Sequence, residues 1–151
     1  HHREDPNSAP PETGEIYDRY RHKTGPVRGL QYSHLTLTLL TTAARMCHNN
    51  GLDMFAYTAP TGENIGLSFT YYADFYRLMD SCIKTGFYCG ETERIGKAGD
   101  DHGLFEIGMR YYPDVIEIKN MVYSGSYDRG TNHSTLLGFY RFFSVPVDLV
   151  K

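Results

Sequence analysis

From Leu30 to Asn49 the sequence runs without glycine or proline, between Gly29 and the breaker Asn49-Asn50-Gly51. Tyr32, Leu35, Leu39, Ala43 and Met46 recur along it at helical spacing. A rival pattern sits inside it. Leu35-Thr36-Leu37-Thr38-Leu39 alternates like a strand and carries β-branched threonines. The unbroken continuation through Thr42, Ala43, Ala44, Arg45 and Met46 exceeds the usual length of a strand, so the stretch is expected to be a helix. Any fold for this chain must then be built around one long helix.

Three further helices are expected. The second spans about Asn64 to Thr85, with Tyr72, Phe75, Tyr76, Met79 and Ile83 on one face. Thr61 or Asn64 is its candidate cap and Gly86 its stop. The third spans about Asp100 to Tyr112, with Asp100 and Asp101 suited to its start and Pro113 ending it. The fourth spans about Asn132 to Phe143, with Thr131 as cap and Pro146 beyond. Short strands are possible over Val115–Ile118 and Met121–Tyr123. Residues 1–14 are polar, contain Pro6, Pro10 and Pro11, and read as a flexible leader or linker, His1-His2 resembling a tag remnant. Residues 15–151 read as one mainly α domain with few short strands and no internal repeat.

At 151 residues the chain is long enough for one domain with a core, and 40% of it is hydrophobic. A net charge of -3 gives no support for binding nucleic acid or a membrane surface. No apolar run approaches the roughly 18 residues of a membrane span. No signal-peptide pattern is present, as would also hold for a mature secreted protein.

The 13 tyrosines offer flat apolar faces with polar tips. Tyr71-Tyr72, Tyr111-Tyr112, Tyr123 and Tyr127 could line a sugar-binding trough, or could serve core and interface packing. Cys47, Cys82 and Cys89 are expected to be buried free thiols. Cys82 and Cys89 bracket a short turn, and an oxidising compartment would let them bridge. No cysteine pair has zinc-ligand spacing, HExxH is absent, and no metal or cofactor is expected. No phosphate-cradling GxxxxGK[ST] and no GxSxG elbow occurs.

Chemistry concentrates where the polar leader meets the first helix. Arg28-Gly29-Leu30-Gln31-Tyr32-Ser33-His34 brings a guanidinium, an amide, a phenol and an imidazole together. Arg binds carboxylates through paired hydrogen bonds, and Tyr or His can move protons. Tyr20 and His22 lie just upstream. Asn132-His133, before the fourth expected helix, could bind a substrate carboxylate or simply cap that helix. At the junction too, Tyr32 could instead be a first-turn packing residue and Arg28 a solvated charge.

The segment Arg28 to His34, the long helix behind it and Asn50-Gly51-Leu52-Asp53-Met54-Phe55-Ala56-Tyr57 together resemble the C-terminal half of alginate-lyase-type polysaccharide lyases. The resemblance spans about residues 15–145 and is most specific where Gly-Leu-Gln-Tyr-Ser opens the helix. It implies an (α/α) toroid, here an incomplete helical barrel, that cleaves uronic-acid polymers by β-elimination outside the cytoplasm, periplasmic or secreted. It makes Tyr32 the proton carrier and Arg28 the carboxylate-neutralising arginine, with Arg19 and Arg21 as alternatives. Gln31, His34, His22, Tyr20, Asn132 and His133 become substrate-binding candidates. The family's Asn-His pair normally precedes this tyrosine. Here Asn132-His133 follows it, so the chain is expected to be part of a larger toroid that another segment or chain completes. Two other readings remain. One is a noncatalytic carbohydrate-binding or interaction module on the same scaffold. The other is a glycoside hydrolase using Glu15 or Glu106, with Glu15 and Asp18 as a possible carboxylate pair.

Overall fold

A computed structural model describes residues 10–18, 29–78, 80–84, 88–91 and 102–123. Within them the chain is mainly helical: α1 is Gly29–Asn49, α2 Ile65–Leu78, α3 His102–Tyr111 and α4 Ile116–Tyr123. No strand occurs among the described residues. The segments expected to be strands form α4 instead. Its Ile118, Met121 and Val122 are buried at i, i+3 and i+4, a helical face. The fourth expected helix, over 132–143, lies outside the described residues.

α2 is the hub, packing against α1, α3 and α4. Asn64 caps it, its Oδ1 accepting from the Leu67 amide at 3.0 Å. Thr61, the other candidate cap, bonds the Glu63 carboxylate instead. The helix stops earlier than its apolar spacing suggests. The Asp80 amide reaches back to the Phe75 carbonyl at 3.2 Å, and the Asp80 carboxylate accepts from the Cys82 amide at 2.8 Å. That Asx turn competes with the helix for the same backbone. Ile83 still packs on the core, but from the loop.

The core is aromatic. Phe69, Tyr72, Phe75 and Tyr76 of α2, Phe105 of α3 and Tyr88 are completely or almost completely buried, with Leu30, Leu37, Ile118 and Met121 beside them. Phe69 meets Phe105 edge-on at 5.8 Å, and Tyr88 meets Phe75 edge-on at 5.5 Å, a geometry that suits the ring quadrupoles. α3 comes close to α2 because Gly108 has no side chain. A Cβ there would stand 2.7 Å from the Phe69 ring.

The face that α1 turns inward is not the stripe of its largest apolar residues. Leu30, Ser33, His34, Leu37, Thr38, Thr41 and Ala44 are buried, whereas Leu39 is 51% and Met46 64% exposed. Helical spacing identifies the helix but not which of its stripes meets α2. A threonine-rich stripe can be buried because the hydroxyls bond within the helix. Thr41 donates to the Leu37 carbonyl at 2.7 Å and Thr42 to that of Thr38 at 2.9 Å.

At the far end of α1, the Asp53 carboxylate accepts from the amides of Phe55 and Ala56, closing a turn. Phe55 then stacks on Tyr111 at 3.6 Å, and Arg45 donates to the Tyr111 hydroxyl at 2.7 Å. These contacts tie the 51–57 segment and α3 to α1. The expected buried free thiols are corrected at two positions. Cys82 and Cys89 are exposed and disulfide-bonded, with their Cα atoms 4.6 Å apart, a separation that a disulfide spans. Cys47 is free and half-buried.

Gly108→Val should destabilise the chain by about 2–3 kcal/mol, since the buried Phe69 ring has nowhere to go. Denaturant unfolding of Gly108→Val alone and combined with Phe69→Leu checks this. The smaller residue should recover part of the loss, and additive losses would contradict the contact.

Candidate functional site at the start of α1

A helix start leaves its first amides without partners inside the helix. At α1 two of them are satisfied from a distant part of the chain. The Leu30 amide donates to Glu91 Oε2 at 2.8 Å and the Gln31 amide to Glu91 Oε1 at 2.7 Å. Glu91 is only 5% exposed. Its carboxylate therefore sits inside the protein on the positive end of a helix, where charge-assisted hydrogen bonds and the helix dipole offset its desolvation.

A second set of bonds locks the next turn. Ser33 donates to the Ile16 carbonyl at 3.0 Å. The Ile16 amide donates to the Tyr72 hydroxyl at 2.9 Å, and that hydroxyl donates to the Ile16 carbonyl at 3.2 Å. Tyr88 donates to Glu15 Oε1 at 2.8 Å, while Glu15 Oε2 accepts from the Glu12 amide at 2.9 Å. Residues 10–18 are thus laid across α1 and α2. Gly14 makes this approach possible, with φ +84° and no Cβ to strike the Leu67 carbonyl.

Burial pushes the Tyr72 phenol up to about 12, with hydrogen bonds to Ser33, Tyr88 and Ile16 partly offsetting it. Burial likewise raises Tyr88, and the neighbouring Tyr72 and Glu15 add to that. Tyr71 is raised by burial and then by the negative charge of Glu15 and Glu12. These phenols are held neutral. Their chemistry is to donate hydrogen bonds, not to abstract protons.

Gln31 and Tyr32 occupy the first turn of α1 and are half-buried. His34 is buried, its ring 4.7 Å from that of Tyr76 and 6.4 Å from that of Phe105. Three of the sequence candidates are therefore within one stretch of helix, with His34 directed to the core rings. Arg28, Tyr20, His22, Asn132 and His133 lie outside the described residues. Tyr71 and Tyr72, considered for a sugar trough, are core residues. Tyr123 is exposed, and Tyr111 has one face covered by Phe55. Glu15 serves Tyr88 and the Glu12 backbone.

Glu91 was not visible as a site residue in the sequence. It stands in the polar run Glu91-Thr92-Glu93-Arg94, which resembles any solvated loop. Ser33 lay inside the junction motif, but its partner is backbone and carries no sequence signal. Among the described residues no group of three or more His, Cys, Asp or Glu is arranged to hold a metal ion. None of the described helices is long and apolar enough to cross a membrane. Comparison of the chain with protein-family models, curated proteins and solved structures finds no match.

Replacing Glu91 by Gln keeps the shape but loses the charge and turns an NH₂ group toward an amide. The expected loss is about 2 kcal/mol, read from urea midpoints at unchanged slope. An unchanged midpoint would contradict the cap.

The raised phenols also set an alkaline limit. Unfolded tyrosines titrate near about 10, so below that pH both states are neutral and the stabilisation is complete. Above it the unfolded state loses protons first, and stability should fall as pH rises toward 12, where Tyr72 and Tyr112 titrate in the fold. Urea unfolding across that range checks the sign. Stability that stays level while the unfolded chain ionises would contradict it.

Proposed function

We propose that the chain is part of a polysaccharide lyase that cleaves uronic-acid-containing polymers, alginate-like or glucuronan-like, by β-elimination. The observation that carries the reading is the first turn of α1. It presents Gln31 and Tyr32 half-buried at its edge, on backbone held by the buried Glu91 carboxylate. Proton transfer from carbon needs a base fixed to within a fraction of an ångström, and a helix start tied from behind supplies that.

In this reading Tyr32 removes the proton at C5 of the uronate. The electron pair forms a C4–C5 double bond, the C4–O bond breaks, and the leaving oxygen takes a proton. Negative charge builds on the uronate carboxylate, and Arg28 with Gln31 and the Asn132-His133 pair neutralise it. Arg28 lies four residues before Tyr32 in the sequence. His22 and Tyr20 complete the set of candidates for substrate contact, while His34, buried against the rings of Tyr76 and Phe105, supports the turn from the core side. The Glu91 and Glu15 carboxylates are turned inward onto amides and a phenol.

The mainly helical fold is compatible with a portion of an (α/α) toroid. Leu39, Leu40 and Met46 on the outward side of α1 are large apolar residues of the kind a further helix, from another segment or chain, would cover. The Cys82–Cys89 disulfide supports a periplasmic or secreted location. Neither a metal nor an organic cofactor enters the scheme.

The test is ultraviolet detection of unsaturated uronate product from a panel of uronic-acid polymers. Tyr32→Phe should lower kcat by about 100-fold or more. Polymer binding with no unsaturated product, by the folded chain and again after the segment or chain that completes the toroid is supplied, would contradict the lyase reading and favour a noncatalytic binding module. New reducing ends without the ultraviolet signal would point to hydrolysis.

A further inference from the structure

We propose that the Cys82–Cys89 disulfide is a redox-sensitive clamp that holds the Glu91 cap on the start of α1. The inference concerns how that helix start is held and does not require the lyase reading.

One end of the bond is fixed to α2. The Asp80 amide is bonded to the Phe75 carbonyl, the Cys82 amide to the Asp80 carboxylate, and Ser81 between them is buried. Lys84 adds a further tie, donating to the Tyr71 carbonyl at 2.7 Å with its ammonium 4.6 Å from the centre of the Tyr71 ring. The other end lies in the tight turn from Tyr88 to Glu91. There the Glu91 amide donates to the Tyr88 carbonyl at 3.1 Å, and Gly90 takes φ +90°. Cys89 is flanked in that turn by the two residues that reach the site. Tyr88 extends to Glu15, and Glu91 extends to the amides of Leu30 and Gln31. The disulfide thus joins the end of α2 to the turn that caps α1.

Swinging this buried carboxylate out into water would break both of its bonds to the α1 amides. A crosslink across seven positions restricts the open states of the turn and so favours the capped one. Both cysteines are exposed, within reach of a dithiol reductant. A thiolate of the dithiol attacks one sulfur and breaks the S–S bond. The second thiol of the reductant then closes on the first, forming its own disulfide. Two electrons and two protons end on Cys82 and Cys89 as thiols. The contacts of α2 with α1, α3 and α4 do not run through the bond.

Hydrogen exchange on the full chain tests this, in the oxidised protein, after reduction by a dithiol, and in the Cys82→Ser/Cys89→Ser double variant. The Leu30 and Gln31 amides have no helical partner, so their protection reports the cap directly. They should exchange at least about tenfold faster in both the reduced and the double-serine protein, while Phe75 and Tyr76 of α2 keep their protection. Reoxidation should restore the oxidised pattern. Unchanged exchange at Leu30 and Gln31 would overturn the proposal. So would equal acceleration at all four amides, which would make the bond a general staple of the fold. Because the readout is amide exchange, failure here is distinct from absence of lyase activity.

Discussion

One buried carboxylate organises the end of this molecule that carries its candidate chemistry. Glu91 gives both oxygens to the first amides of α1 across about sixty positions of sequence. A carboxylate at such low exposure is stable only where fixed donors replace water, and a helix start is a concentrated source of them. The consequence runs in both directions. Glu91 fixes where α1 begins, and α1 fixes where the 88–91 turn lies. Tyr88 and Tyr72 then carry the same constraint to residues 15 and 16, so three separated segments meet at one helix end.

Hydrogen-bonding capacity explains why polar side chains occupy so much of this interior. Thr41 is satisfied by its own helix, Ser33 by the Ile16 carbonyl, and Tyr72 by both backbone groups of Ile16. None of these demands water, so the inward face of α1 can be rich in hydroxyls beside a core of Phe and Tyr rings. The same logic applies at the other end, where the Tyr111 hydroxyl takes a bond from Arg45 while its ring stacks on Phe55. Tyrosine suits this protein because each ring packs as a hydrophobe and ends in a group that can bridge segments.

Local features of the fold were legible in the sequence, and non-local ones were not. The extent of α1 followed from the absence of breakers, the start of α2 from Asn64, and the end of α3 from Pro113. Which face of α1 turns inward was not legible, because Leu35, Leu39 and Met46 form as regular a stripe as Leu30, Leu37 and Ala44. Only the partner helix decides between them. Val115–Ile118 and Met121–Tyr123 looked like strands because β-branched residues favour them, yet packing against α2 and α3 selects the helical period. At the site, the junction motif drew attention to Gln31, Tyr32 and His34. Glu91, which holds that junction, has no local signature, since its partners are backbone amides.

The whole arrangement depends on Glu91 being bonded to those two amides in the folded chain. Amide-proton NMR of the intact protein tests it most directly, by comparing the Leu30 and Gln31 resonances with those of other α1 residues, in the native chain and in Glu91→Asp. Both protons should lie downfield, as for strong hydrogen bonds to a carboxylate, and move upfield together when the shorter acid draws its oxygens away. Leu30 and Gln31 resonances at ordinary positions, indifferent to the substitution, would contradict it.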